Sequence, residues 1–309
     1  MGMKKTYAAA VTIFVVLALF LIKLERPAPV KIGATYMNLN NPYFIALNDT
    51  IRRQVEGRGD ILIARDPALD QSRQNEIVYE FLEEGVDVVI IQPLDARKVQ
   101  PAIDACYESD VPVVVVDSQI YDNSKVLFEV VSDNYKAGRL IAEDMNEKYS
   151  GGNVLLIYQN NTKSSSDRAQ GFQDHIQEKF QIVKTVDNVE GLEATMEQVN
   201  ICLEEGLEFD IVVCGNDPTA LGALVALQNA KLDEQTEIYG VDGSPDAKMM
   251  IARGYLSGTS VQYPSEIGLS CVENLYVYLN DEPYEKEIIV DVTFLNEENL
   301  KDYNVIGWQ

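Results

Sequence analysis

A chain of 309 residues, 46% hydrophobic and 24% charged, is long enough for two domains and apolar enough to bury a core. Its formal net charge of −24 repels phosphate backbones, which excludes nucleic acid as a partner. With His175 as the single histidine, a His-rich metal site is excluded, as is any Ser/His or Cys/His catalytic pair that does not use it.

The amino terminus opens on a short basic tip, Met1–Lys5, followed by the uncharged, mostly apolar run Thr6–Ile22. At ~1.5 Å per residue that run is ~26 Å long, near the lower limit for crossing a bilayer. Lys4 and Lys5 hold its first end in the cytoplasm. A secretory signal peptide shares this pattern, but no small-x-small cleavage site follows, nor a cysteine to take a lipid. An uncleaved membrane anchor is therefore expected, with residues 1–29 forming tip, anchor and linker. In either case the remainder lies on the extracytoplasmic face of the membrane.

From Val30 onward, near-continuous apolar runs alternate with amphipathic stretches. Strands are expected at Lys31–Thr35, Ile61–Ala64, Val86–Ile91 and Val111–Val116, apolar throughout as parallel strands covered on both faces should be. Helices are expected between them, at Tyr43–Glu56, Gln71–Glu84 and Ala96–Ser109, with Gly57, Gly59 and Gly85 where helices stop. A second series has strands near Asn153–Tyr158, Ile182–Thr185, Ile211–Val213, Glu237–Val241 and Thr259–Gln262. Its helices fall near Ser166–Phe180, Leu192–Glu205, Thr219–Ala230, Pro245–Arg253 and Ser265–Asn280. Two successive βα series predict an α/β protein with two doubly wound parallel-sheet lobes. Cys106, Cys202, Cys214 and Cys271 have no disulfide-framework spacing and are expected as buried free thiols, and His175 as a surface residue of a polar helix.

Ligands of such sheets bind beyond the carboxyl ends of the strands. The residues there form a consistent polar and aromatic set: Asn38–Phe44, Gln92-Pro93, Asp117-Ser118, Asn160–Arg168, Gly215–Asp217, Asp242-Gly243 and Gln262-Tyr263. Amides and carboxylates bind vicinal hydroxyls in pairs, and rings cover the apolar face of a sugar. Helix capping competes as an explanation at single positions, above all at Asp217 and Ser244. It does not account for so many polar strand ends.

Eight segments in order carry a family resemblance: LNNPYF (Leu39–Phe44), QPLD (Gln92–Asp95), VVVDS (Val114–Ser118), SDN (Ser132–Asn134), DRAQGF (Asp167–Phe172), CGNDPTALGALVALQ (Cys214–Gln228), YGVDGSPD (Tyr239–Asp246) and VQYPSEIG (Val261–Gly268). From Val30 to its end the chain resembles the type I periplasmic binding proteins of the ribose/galactose class. The resemblance implies ligand contacts at Asn41, at the rings Tyr43 and Phe44, and at Asp117, Arg168, Asn216, Asp242 and Gln262. Three departures stand out. Ser118 replaces an arginine common in ribose binders, Val241 replaces an aromatic, and Glu190 lies where a second ring is usual. Ser118 and Glu190 are therefore added to the candidate contacts, and the expected ligand is a hexose, pentose, polyol or amino-bearing ligand.

The resemblance further implies a three-crossing hinge near Val131–Asp133, Gln262–Pro264 and Val290–Thr293. Lobe 1 would then comprise residues 30–132 and 263–291, and lobe 2 residues 133–262 and 292–309. Closure on a small-molecule sugar, without a cofactor, metal or covalent chemistry, would present a monomeric ectodomain to a membrane partner. That partner is an ABC permease or, alternatively, a sensor histidine kinase or chemoreceptor. Arg168 between Asp117 and Asp242 favours hydroxyl binding over an acid/base pair of an enzyme. The Arg58-Gly59-Asp60 triplet is read as a helix-to-strand turn.

Overall fold

The computed structural model describes residues 28–187, 189 and 191–309. The expected anchor Thr6–Ile22 and the candidate residue Glu190 lie outside the described residues. No described helix is long and apolar enough to cross a membrane.

The first sheet takes its strands from β1 (Lys31–Thr35), β2 (Ile61–Arg65), β3 (Val88–Ile91), β4 (Val113–Asp117) and β5 (Phe128–Ser132). The late strand β11 (Glu287–Val290) joins it, in the order β11-β5-β4-β3-β1-β2, with every pair parallel. Alternate residues of one strand serve opposite faces. Val114 and Val116 enter a core with Ile32, Ala34, Val88 and Ile90, while Val113 and Val115 enter another with Val89 and Ile91. Both faces are thus dry, which is why these strands read as unbroken apolar runs. Helices α1 (Pro42–Glu56), α2 (Gln71–Glu83) and α3 (Gln100–Glu108) cover them. In α1 the Asn41 side chain accepts from the Tyr43 N–H, Pro42 occupies the first turn, and Tyr43, Phe44, Leu47, Ile51 and Val55 form the buried stripe. Each such side chain contributes roughly 1.5–3 kcal/mol on burial.

The second sheet holds β6 (Gly152–Tyr158), β7 (Phe180–Asp187), β8 (Ile211–Cys214), β9 (Glu237–Asp242), β10 (Gly258–Val261) and β12 (Thr293–Asn296). Its order is β12-β10-β9-β8-β6-β7, parallel except for the β10–β12 pair. Around it run α4 (Asn134–Lys148), α5 (Lys163–His175), α6 (Gly191–Glu204), α7 (Asp217–Ala230) and α8 (Pro245–Ala252). Helix α9 (Pro264–Leu279) returns to the first sheet and packs against α1. The chain therefore passes between the two α/β units after β5, after β10 and between β11 and β12.

Several elements differ from expectation. Strand β5, helix α4 and the short strands β11 and β12 were not anticipated. Helix α5 starts at Lys163 and ends at His175, because Phe180–Asp187 is drawn into β7 beside β6. Helix α3 starts four residues late, at Gln100, because Asp95 accepts the Arg97 and Lys98 N–H groups in a preceding turn. His175 is half-buried: its ring meets Tyr135 edge-on at 5.6 Å and its Nδ1 lies 2.9 Å from the Gly171 carbonyl. All four cysteines are buried and unpaired.

Candidate functional site

The carboxyl ends of β1, β4, β6, β8, β9 and β10 converge on a cavity between the two α/β units. Of the ten candidate residues, Asn41, Tyr43, Phe44, Asp117, Arg168, Asn216, Asp242 and Gln262 line it. Met37, Gln92, Gln159, Thr162, Ser164, Ser165 and Gly215 complete the lining.

The first unit supplies the apolar wall. Tyr43 and Phe44, neighbours at the start of α1, meet edge-on at 5.3 Å, and Phe44 stacks on Tyr36 at 6.3 Å. The tryptophan Trp308, near the carboxyl terminus, meets the Tyr43 ring edge-on at 5.6 Å. Lys248 of α8 steadies that terminal segment by donating to the Gly307 carbonyl at 2.5 Å. Burial of this amine lowers its pKa to about 8.

The second unit supplies the cation. Arg168 is buried on α5, where its Nε donates to Asn134 Oδ1 and its Nη1 to the Gly215 carbonyl, each at 2.8 Å. Its Nη1 lies 4.0 Å from Asp242 Oδ1. The position of α5 depends on glycine: a Cβ on Gly138 of α4 would stand 1.8 Å from the Arg168 carbonyl oxygen, and one on Gly171 2.0 Å from that of Tyr135. Asn134 and the two glycines had no place among the sequence candidates, since their role depends on a helix crossing no local pattern encodes.

The two carboxylates sit on strained backbone. Asp117 has φ +68° and Asp242 φ +142°, values a non-glycine residue seldom adopts and that gather at functional sites. Asp242 Oδ1 accepts from Gln262 Nε2 at 2.7 Å, and beneath it lies the fully buried Asp217. Asp217 accepts from Thr259 Oγ1 and the Ser244 N–H, both at 2.7 Å. Burial pushes all three carboxyls above their ordinary range, and the Asp217 charge adds to the effect at Asp242. The Tyr43 hydroxyl is pushed well up by burial and next by Asp117.

The capping explanation accounts for half of each amide. Asn41 and Asn216 both cap helices through Oδ1, accepting from the Tyr43 and Thr219 N–H groups at 2.9 Å, which leaves the Nδ2 donors for the cavity. Ser244 caps α8, whereas Asp217 is the buried first residue of α7 and not its cap. Ser118 does not line the cavity. Fully buried, it accepts the Ser164 N–H at 3.2 Å across the interface of the two units. Two further bonds cross there, Ala96 N–H to the Asn161 carbonyl at 3.0 Å and Asn161 Nδ2 to the Leu94 carbonyl at 3.1 Å. The cleft is closed at that edge.

Two parallel-sheet units joined by three chain crossings and lining one polar cavity have the architecture of a solute-binding protein. The family model described as "Periplasmic binding protein domain" matches residues 32–283, and the chain belongs to that family. It is 30% identical over 299 residues to the ribose import binding protein RbsB of Bacillus subtilis (strain 168), covering 90% of this chain and 96% of that one. It shares its fold with the Caulobacter myo-inositol binding protein bound to myo-inositol, at a TM-score of 0.83 and 23% identity over 91% of this chain and 98% of that one. The fructose binding periplasmic domain of a hybrid two component system has the same fold, with TM-score 0.82 and 23% identity over 88% and 92% of the two chains.

Proposed function

We propose that this protein binds a monosaccharide or similar polyol between its two lobes, outside the cytoplasm, and presents the closed form to an ABC sugar permease. One observation carries the reading. Opposed walls of rings (Tyr43, Phe44) and of fixed polar groups (Arg168, Asn216, Asp242, Gln262) line one cavity. A pyranose or furanose has a C–H face for the first and hydroxyls for the second. The division is taken as residues 30–132 with 263–291 against 133–262 with 292–309. The chain crossings after β5, after β10 and between β11 and β12 support a hinge, and the bonds from Asn161 and Ser118 are those that closure would make. A ligand touching both walls stabilises the closed state by its differential affinity for it.

The likeness to a ribose import binding protein supports delivery to a permease. A second reading, a sugar-sensing co-receptor for a membrane histidine kinase, draws on the apolar run Thr6–Ile22, which would tether the domain beside a membrane partner. The mass of the protein from native membranes tests the uncleaved anchor, and cross-linking there separates permease from kinase. The test of binding itself is a thermal-shift screen of the full chain against pentoses, hexoses, polyols and amino sugars. A ligand at 100 times its dissociation constant adds ~2.7 kcal/mol. Silence across that panel overturns the proposal.

A further inference from the structure

The charges around the cavity do not cancel. Asp117 and Asp242 line it, Asp217 lies beneath Asp242, and Arg168 is the one cationic side chain in the lining among the described residues. The charge of Asp217 acts on the buried Lys248. Among the described residues three acidic side chains thus face two basic ones. The shortfall falls on Asp117. Arg168 is already committed to Asn134, the Gly215 carbonyl and the neighbourhood of Asp242. Asp242 has Gln262 and the Asp217 N–H, while Asp217 has Thr259 and Ser244. Asp117 is 5% exposed, and its Oδ1 has no hydrogen-bond partner. Its neighbour Ser118 is neutral, and its Oγ accepts the Ser164 N–H.

A buried carboxyl with an unpartnered oxygen and no ion pair of its own is costly, and a cation entering the site would answer it. We infer that the ligand is a polyol carrying one positive charge, an amino or imino sugar, whose nitrogen lies on the Asp117 side of the cavity. The inference rests on the cleft being a sugar site and narrows its ligand class. The geometry also says how such a ligand would lie. Its C–H face meets Tyr43 and Phe44, its hydroxyls meet Asn216, Asp242 and Gln262, and its ammonium donates to Asp117. Burial raises the Asp117 carboxyl, Arg168 and the Tyr43 hydroxyl oppose the rise, and a cation beside it would lower it further.

Calorimetry on the full chain at pH 7 provides the test. The probes are matched sets: glucosamine, galactosamine and mannosamine, their N-acetyl forms, the parent hexoses, common pentoses, and imino sugars such as deoxynojirimycin. The tightest ligand is expected to be cationic and to bind at least tenfold better than its neutral counterparts. Asp117→Asn, an isosteric change, is expected to erase that preference, and Asp242→Asn to reduce it less. Preference for a neutral sugar overturns the inference while leaving the sugar site standing. A cation preference unchanged in both variants overturns the role of Asp117. Absence of binding across the whole panel overturns the sugar site and this inference with it.

Discussion

The two walls of the cleft are made by the same device, a turn from strand end to helix start, yet they solve different problems. The α1 wall grows out of a hydrophobic core. Tyr43 and Phe44 are the first members of a buried stripe that continues through Leu47 and Ile51, so they are held by packing. The wall opposite is held by hydrogen bonds and close backbone contact. Arg168 depends on Asn134, and Asp242 on Gln262, with Asp217 beneath. A wall held by packing tolerates change in small steps. A wall held by buried charge fails when one partner is removed.

That contrast can be broken from either side. The largest effect is expected for Arg168→Ala, which strands buried Asp242 and removes the one lining cation. Sugar affinity should fall by two to three orders of magnitude, equivalent to ~3–4 kcal/mol, with the far-UV circular dichroism unchanged. Gly138→Ala comes next. Its Cβ meets a backbone oxygen that no rotamer change can move, so denaturant titration should show a loss of about 3 kcal/mol together with weakened binding. Tyr43→Ala should cost roughly tenfold in affinity, measured by calorimetry, as expected when one ring of a packed pair is lost.

Asp242→Asn sharpens the comparison through pH. Burial and Asp217 raise the native carboxyl well above its unfolded value near 4. The stability tied to its proton is present in acid and lost as pH rises through the native value. Wild type and variant should therefore unfold alike in acid, and the unliganded variant should become the more stable towards neutrality, as chemical denaturation from pH 4 to 8 would reveal. The smallest effect belongs to Asp291→Asn between β11 and β12. The ion pair of Asp291 with Lys136 is largely exposed, and its loss should change stability by less than about 1 kcal/mol.

Much of this was legible in the chain because parallel strands buried on both faces leave continuous apolar runs, and the polar residues after each run mark the site. Asn41, Tyr43, Asp117, Asn216, Asp242 and Gln262 were all found that way. What escaped depends on distance in space. Strand β5 begins Phe128-Glu129-Val130 with a buried glutamate, which interrupts the apolar signal; Asn123 Nδ2 and the Ile120 N–H satisfy it. Ser118 is a candidate because it stands where ribose binders tend to have an arginine, and its Oγ accepts the Ser164 N–H across the two units, a contact no local pattern encodes. Asp217 looked like a cap because it precedes Pro218, and its burial beneath Asp242 comes from Thr259, more than forty residues away.

Trp308, the one tryptophan of the chain, rests its edge on a ring that lines the cavity. The protein thereby carries its own optical reporter. Any ligand that shifts Tyr43 or dries its surroundings will alter the indole's emission, so occupancy of the cleft can be followed in the unmodified chain without a label.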